Sequence, residues 1–197
     1  MSARETARER ILRAAIRLFQ QRGFHGVGLA EILAEADAPK GSLYHHFPRG
    51  KAQLAIAAIE AIAADYEAAF ERLRVRGQSA AEIVRRFARA QAHWLTHNDW
   101  QQAGLFSVLV QGFVPEAPEL HQALAQVYNR RHQLLARALT EDSVEDARGL
   151  ATLALAALDG GMIQAAAVRD PRVLRIAADR AARCLERAPA APRPPSP

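Results

Sequence analysis

Cysteine occurs once in the 197 residues, as Cys184. A single thiol excludes an intrachain disulfide and any zinc site built on paired cysteines, and it suits a reducing compartment in which Cys184 only packs. Aromatic residues make up 6% of the chain and β-branched residues are sparse, which disfavours sandwiches, barrels and doubly wound sheets. Unbroken apolar runs are scarce as well. The amino end, MSARETARERILRAAIRLF, carries charge every few residues, so it lacks the apolar core of a secretory signal. Residues 150–168 are apolar enough to suggest a membrane span, yet Asp159 at their centre would cost about 2.5 to 3.5 kcal/mol there. That stretch reads as a helix buried in protein, and the chain as cytoplasmic with no membrane partner. Lysine is almost missing: of 26 basic residues only Lys40 and Lys51 are lysine.

What is abundant is alanine, 43 residues of it, the best intrinsic helix former. An all-α protein is expected, of one ordinary domain or a small one joined to a larger one. Residues 1–51 hold nine basic and five acidic side chains, so they carry +4 of the net +5. A basic amino-terminal module on a nearly neutral body points to a head that binds a polyanion.

Caps and breakers divide the chain into about nine helices. A capping box, Thr6-x-x-Glu9 or Ser2-x-x-Glu5, opens the first, which Gly23 stops. A short helix covers about 29–36, and Pro39 at the first position of a third helix and Pro48 beyond it bracket one to two turns. A long helix follows over about 50–75. Ser79-x-x-Glu82, Asp99, Pro118, Asp142-x-x-Glu145 and Asp170-Pro171 open five more, of which 105–114 also fits a strand. Five prolines among residues 189–197 predict a disordered tail.

Residues 28–51, GLAEILAEADAPKGSLYHHFPRGK, carry the strongest signal. Two short helices joined by a tight turn make a helix-turn-helix if Ile32 and Ala36 meet Leu43 and Phe47. The other face then offers Lys40, Ser42, Tyr44, His45 and His46 as donors for phosphates and base edges, and Gly41 admits a close backbone approach. At Lys40-Gly41-Ser42-Leu43-Tyr44-His45-His46-Phe47, followed shortly by Lys51, the sequence resembles the TetR/AcrR family of bacterial transcriptional repressors. The extra residue before Lys51, with Asp99-Trp100-Gln101 and Asp170-Pro171, is similar to the LmrA/YxaF branch. Two departures stand out. Val27-Gly28 replaces the hydroxyl cap usual at the second helix, and Asp37 replaces the usual turn glycine.

The resemblance implies an N-terminal helix-turn-helix head over residues 4–65, with its motif at about 28–47. It also implies a helical ligand-binding and dimerisation body over 66–188. The expected function is a homodimeric repressor that binds a palindromic double-stranded DNA operator and is released by a small lipophilic effector, with no cofactor. DNA contacts are expected from Lys40, Gly41, Ser42, Tyr44, His45, His46 and Lys51. Trp94, Trp100, Phe106, Phe113 and Met162 fit either a cavity or an ordinary core, and the resemblance favours the cavity. Tyr66 and Phe70 form the effector side of the long helix, and Asp159 faces a ligand or the second subunit. Dimerisation is expected along Leu150, Leu153, Ala157, Gly161 and Gln164, beside Val173, Ile176, Ala177 and Arg180.

His93 and His97, four residues apart, suit either a surface or pocket lining or a metal pair. With Asp99 they support a rival reading, a small helical metal-dependent enzyme, but no nucleophile-base-orienter set accompanies them. A second rival is a DNA-binding protein without an effector.

Overall fold

The computed structural model describes residues 5–100, 104–112 and 117–190. Nine helices and no strand beyond one isolated bridge occur among them: α1 (Ala7–Arg22), α2 (Leu29–Glu35), α3 (Lys40–His46), α4 (Gly50–Val75), α5 (Ala80–His97), α6 (Leu105–Gln111), α7 (Pro118–Glu141), α8 (Ala147–Val168) and α9 (Pro171–Arg187). The chain divides after Asp65, Gln101 and Val127 into two compact units, so α4 and α7 each contribute to both.

The first unit is built on α1. Its start is a capping box in which the Glu9 N–H donates to Thr6 Oγ1 at 3.3 Å and the Thr6 N–H donates to Glu9 Oε2 at 2.8 Å. Two donors left open by any helix start are thereby satisfied. The helix ends at Gly23, whose φ of +69° lies in the left-handed region that glycine enters without a Cβ clash. Ile11, Ala15, Leu18 and Phe19 pack with Ile32, Leu43, Phe47, Leu54 and Ile59 in one buried cluster. Leu105, Leu109, Leu120, Leu124 and Val127 join that cluster. Residues 104–112 and 117–127 thus fall in the first unit, where the sequence division put them in the body. Sequence order cannot reveal this, because it depends on which core the apolar face of α6 finds.

The second unit packs the end of α4, α5, the end of α7, α8 and α9 around Phe70, Ile83, Leu95, Leu135, Leu158, Leu174 and Leu185. Gly161 is what lets α8 approach α9: a Cβ there would lie 3.2 Å from both Ala177 Cβ and Leu174 Cδ1. Arg85 on α5 reaches α9, donating from Nε to Asp179 at 3.1 Å and from Nη2 to Glu186 at 2.9 Å. α8 is long and apolar enough to cross a membrane, but it buries Ala151, Ala154, Leu155, Leu158, Met162 and Ala165 in this core.

Several helix ends differ from the sequence expectation. Pro39 is the N-cap of α3 and Lys40 its first residue. Asp99 is not the N-cap of α6: it and Trp100 have φ of +47° and +61° in the turn that ends α5, and α6 starts after Gly104. Segment 105–111 is helix, without strand character. Asp142 does not open α8. Its carboxylate accepts from Arg74 Nη1 at 2.7 Å and from the Ala80 N–H at 2.7 Å, capping α5 from across the unit. Asp146 caps α8 instead, accepting from the Gly149 N–H at 3.2 Å. At the carboxyl end, the Glu145 N–H donates to the Pro189 carbonyl at 2.9 Å and Ala190 bridges to Val144. The first two residues of the expected tail are therefore tied down, and 191–197 lie outside the described residues.

Candidate nucleic-acid interface

The turn between α2 and α3 is held from α1. Arg10 donates from Nε to the Ala36 carbonyl at 3.0 Å and from Nη2 to the Asp37 carbonyl at 3.2 Å. Asp37 takes φ +46°, the left-handed conformation expected where the usual glycine is absent and which Asp tolerates better than most residues. No side chain caps α2 at Gly28. Ile32, Ala36, Leu43 and Phe47 are buried together, so the inward faces of the two short helices meet as their spacing predicts.

α3 consequently turns its other side out. Lys40, Gly41, Tyr44 and His45 are exposed, Tyr44 by 48%, and Ser42 and His46 are half-buried. A Cβ at Gly41 would meet nothing within 4 Å. The His45 ring lies edge-on to His46 at 4.8 Å. Lys51, the second residue of α4, is half-buried with its Nζ 4.4 Å from the centre of the Phe24 ring, a cation–π contact that fixes where its charge sits.

Four acids of this unit are engaged by α1 or its cap. Glu5 pairs with Arg13 at 2.9 Å, Glu31 with Arg22 and Glu35 with Arg17, while Glu9 serves the Thr6 cap. The hydrogen bond from Arg22 holds the Glu31 carboxyl below its usual range. Lys40, Arg49, Lys51 and Arg8 are cationic side chains of the same unit. Arg8 lies with its guanidinium 5.6 Å from the Phe47 ring. Sequence reasoning did not select Arg8, although its place on the outer side of α1 beside the motif was a usable signal.

In the second unit Tyr66 stacks on Phe87 at 4.4 Å, and Phe70 lies 6.4 Å from both. Asp159 accepts a two-pronged hydrogen bond from Arg131, at 2.9 Å from Nη2 and 3.2 Å from Nη1. The Arg131 guanidinium sits 5.2 Å from the Tyr66 ring and 5.3 Å from Tyr128. Burial opposes its charge, but Asp159 more than offsets that and keeps it protonated. Burial pushes the Tyr66 phenol up. Met162 is buried, and Trp94 and Trp100 pack against the same core. His93 and His97 do not join them. They are exposed on α5 with ring centres 4.2 Å apart, and among the described residues no three His, Cys, Asp or Glu side chains converge as a metal set. Phe106 packs against the first unit's core, and Phe113 lies outside the described residues. Sequence reasoning missed Phe87, Tyr128 and Arg131, though an acid inside an apolar helix signals a buried partner.

Of the expected dimer line, Leu153, Gln164, Ile176 and Arg180 are exposed, and Leu150, Ala157, Val173 and Ala177 are half-buried. Gly161 turns inward against α9 of its own chain, whereas a Cβ at its neighbour Gly160 would meet nothing within 4 Å.

A short cationic helix presented by a helix-turn-helix, on a chain that continues into a separate helical unit, defines a helix-turn-helix DNA-binding regulator. Comparison with known proteins agrees. The description "Bacterial regulatory proteins, tetR family" matches residues 11–58, and that of the C-terminal domain of LmrA/YxaF-like transcriptional regulators matches residues 80–180. The HTH-type transcriptional regulator YxaF of Bacillus subtilis is 30% identical over 181 residues, covering 91% of this chain and 95% of the relative. LmrA of Bacillus subtilis is 62% identical over 53 residues, 27% of this chain and 28% of that protein. Among solved structures, the TetR-family regulator CifR in complex with 26-bp operator DNA matches at a TM-score of 0.76 and 22% identity, over 92% of this chain and 98% of that one. The chain belongs to the TetR family of bacterial transcriptional regulators. Its relatives are regulators, not enzymes.

Proposed function

We propose that the protein is a homodimeric, cytoplasmic repressor whose two α3 helices read a palindromic operator and whose second unit binds a small lipophilic effector that releases it. The observation that carries this reading is α3 itself, with Leu43 and Phe47 locked inward while Lys40, Tyr44 and His45 face out. A helix held in this way enters a major groove, with Lys40 and Ser42 suited to base edges and Tyr44, His45, His46 and Lys51 to nearby phosphates or bases. CifR on its operator shows the same fold binding DNA.

Dimerisation is supported by an uncovered apolar strip on α8 and α9, where Leu153, Ile163, Val168 and Ile176 are 46%, 44%, 62% and 60% exposed. Such a strip suits a four-helix contact about a two-fold axis. The aromatic cluster around Tyr66 favours an effector with a flat apolar body. α4 and α7 belong to both units, so a shift of either on effector binding reaches the head.

Selection from random duplexes tests the reading. An imperfect palindrome with half-sites about one helical turn apart, or a multiple of it, is the expected product. Recovery of a single asymmetric half-site would refute the two-fold arrangement. Effector and operator should weaken each other's binding roughly 5- to 150-fold.

A further inference from the structure

We propose that the second unit recognises its effector through Arg131, and that the effector is a planar aromatic carboxylate whose anion displaces Asp159 from the guanidinium. This rests on the reading of that unit as an effector-binding body and names the chemistry it selects.

Arg131 is 3% exposed, the one charged residue so buried among the described residues. An ion pair in such a core is a poor source of stability compared with apolar side chains of the same volume, so its presence in an alanine- and leucine-rich unit calls for another role. The partners are unequal. The Asp159 side chain is 25% exposed against 3% for Arg131, so the carboxylate can swing to water while the guanidinium cannot.

The surroundings select the shape of the replacement. Tyr66 and Tyr128 lie 5.2 and 5.3 Å from the guanidinium, Tyr66 stacks on Phe87 at 4.4 Å, and all three rings are half-buried. Flat aromatic rings packed around a buried cation suit a flat ligand with one negative end. Gln91, one helical turn beyond Phe87 on α5, has a buried Oε1 without a hydrogen-bond partner, an acceptor that a donor on the ligand would satisfy.

A guanidinium fork takes one carboxylate in the two-pronged geometry, so ligand and Asp159 compete for it. Binding exchanges two N–H···O bonds to Asp159 for two to the ligand. It removes the Arg131–Asp159 tie between α7 and α8 at a point where Tyr66 of α4 also meets Arg131. The effector therefore acts on the three helices that join there.

The test compares benzoate, 2-naphthoate and 9-anthracenecarboxylate with their carboxamides, read by tryptophan fluorescence and thermal shift. Wild type should bind the acids at least about tenfold tighter than the amides. Asp159→Asn removes the competing charge but keeps the shape, and should tighten the acids about tenfold further while leaving the amides unchanged. Arg131→Gln combined with Asp159→Asn leaves no unpaired buried charge and should bind acid and amide alike. Equal binding of acids and amides to wild type, no gain for acids in Asp159→Asn, or no acid binding to that variant would each overturn the proposal. If neutral compounds release the operator and acids do not, the effector-binding body stands and Arg131 has another role. If acids bind as expected without releasing operator, the Arg131 site stands and effector control fails.

Discussion

Arg10 of α1 and Ala36 at the end of α2 are joined by a 3.0 Å hydrogen bond from the guanidinium Nε to the backbone carbonyl, and a second arm of Arg10 reaches the Asp37 carbonyl. The turn that sets the angle of the recognition helix is therefore fixed by a side chain outside the helix-turn-helix. Asp37, with φ +46°, holds a conformation that most side chains resist, and Arg10 braces it there.

Arg10→Ala should destabilise the protein by about 1.5 to 3 kcal/mol, the range for hydrogen bonds that involve a charged group. Operator affinity should fall without a change in its salt dependence, because Arg10 is spent on carbonyls and not on phosphate. Chemical denaturation and binding at several salt concentrations check both parts. A shallower salt slope would mean that Arg10 touches DNA.

Lys51 and Lys40 should separate positioning from reading. Lys51→Ala is expected to weaken binding to all sequences and to reduce the magnitude of the salt slope by about 0.9 per contact in each subunit. The cation–π contact with Phe24 holds the Lys51 ammonium in place before DNA arrives. Lys40→Ala should instead relax base preference at one position of each half-site, at about 1 to 3 kcal/mol of discrimination. Competition binding with singly substituted operators distinguishes the two.

Local signals were legible in the sequence. Thr6-x-x-Glu9, Ser79-x-x-Glu82 and Asp170-Pro171 all cap helices as read, because each depends on residues within one turn. Where a distant partner decides, the sequence was silent. Asp142 has the look of a cap for the helix after it, yet Arg74, 68 residues earlier, draws it to the start of α5. Arg131 sits in Asn129-Arg130-Arg131-His132, which reads as a solvated stretch of α7, and Asp159, 28 residues on, with the Tyr66 and Tyr128 rings, makes its burial tolerable. The inward turn of Gly161 and the outward turn of Gly160 depend on a rotation of α8 finer than a hydrophobic stripe resolves.

The Arg85 clamp between α5 and α9 should give the second unit an acid-sensitive stability. The hydrogen bond from Arg85 lowers Glu186 from its ordinary 4.5 and Asp179 from its ordinary 3.8. Depressed carboxylates stabilise the fold above their ordinary values, and that contribution is lost as pH falls through the lower folded-state values. Wild type should therefore exceed Arg85→Ala in Tm at pH 6 to 7, and the difference should shrink steadily below about pH 4.5. A gap that stays constant down to pH 3 would show that Arg85 acts through packing alone.

Gly160 offers the cleanest test of the dimer, because the obvious neighbouring substitution would mislead. An arginine at Gly161 would be driven into Leu174 and Ala177 of the same chain, so loss of the dimer there would be indistinguishable from a damaged core. At Gly160 a side chain meets nothing within 4 Å, and exchanging glycine for arginine inside a helix favours the isolated chain by up to about 1 kcal/mol. Gly160→Arg should thus keep the helical content and thermal stability of a folded chain while placing a charge on the strip formed by Leu153, Ile163 and Ile176. Sedimentation should show a monomer, and operator affinity should fall steeply because one subunit reads only one half-site. A Gly160→Arg protein that still sediments as a dimer would place the interface away from the α8–α9 strip.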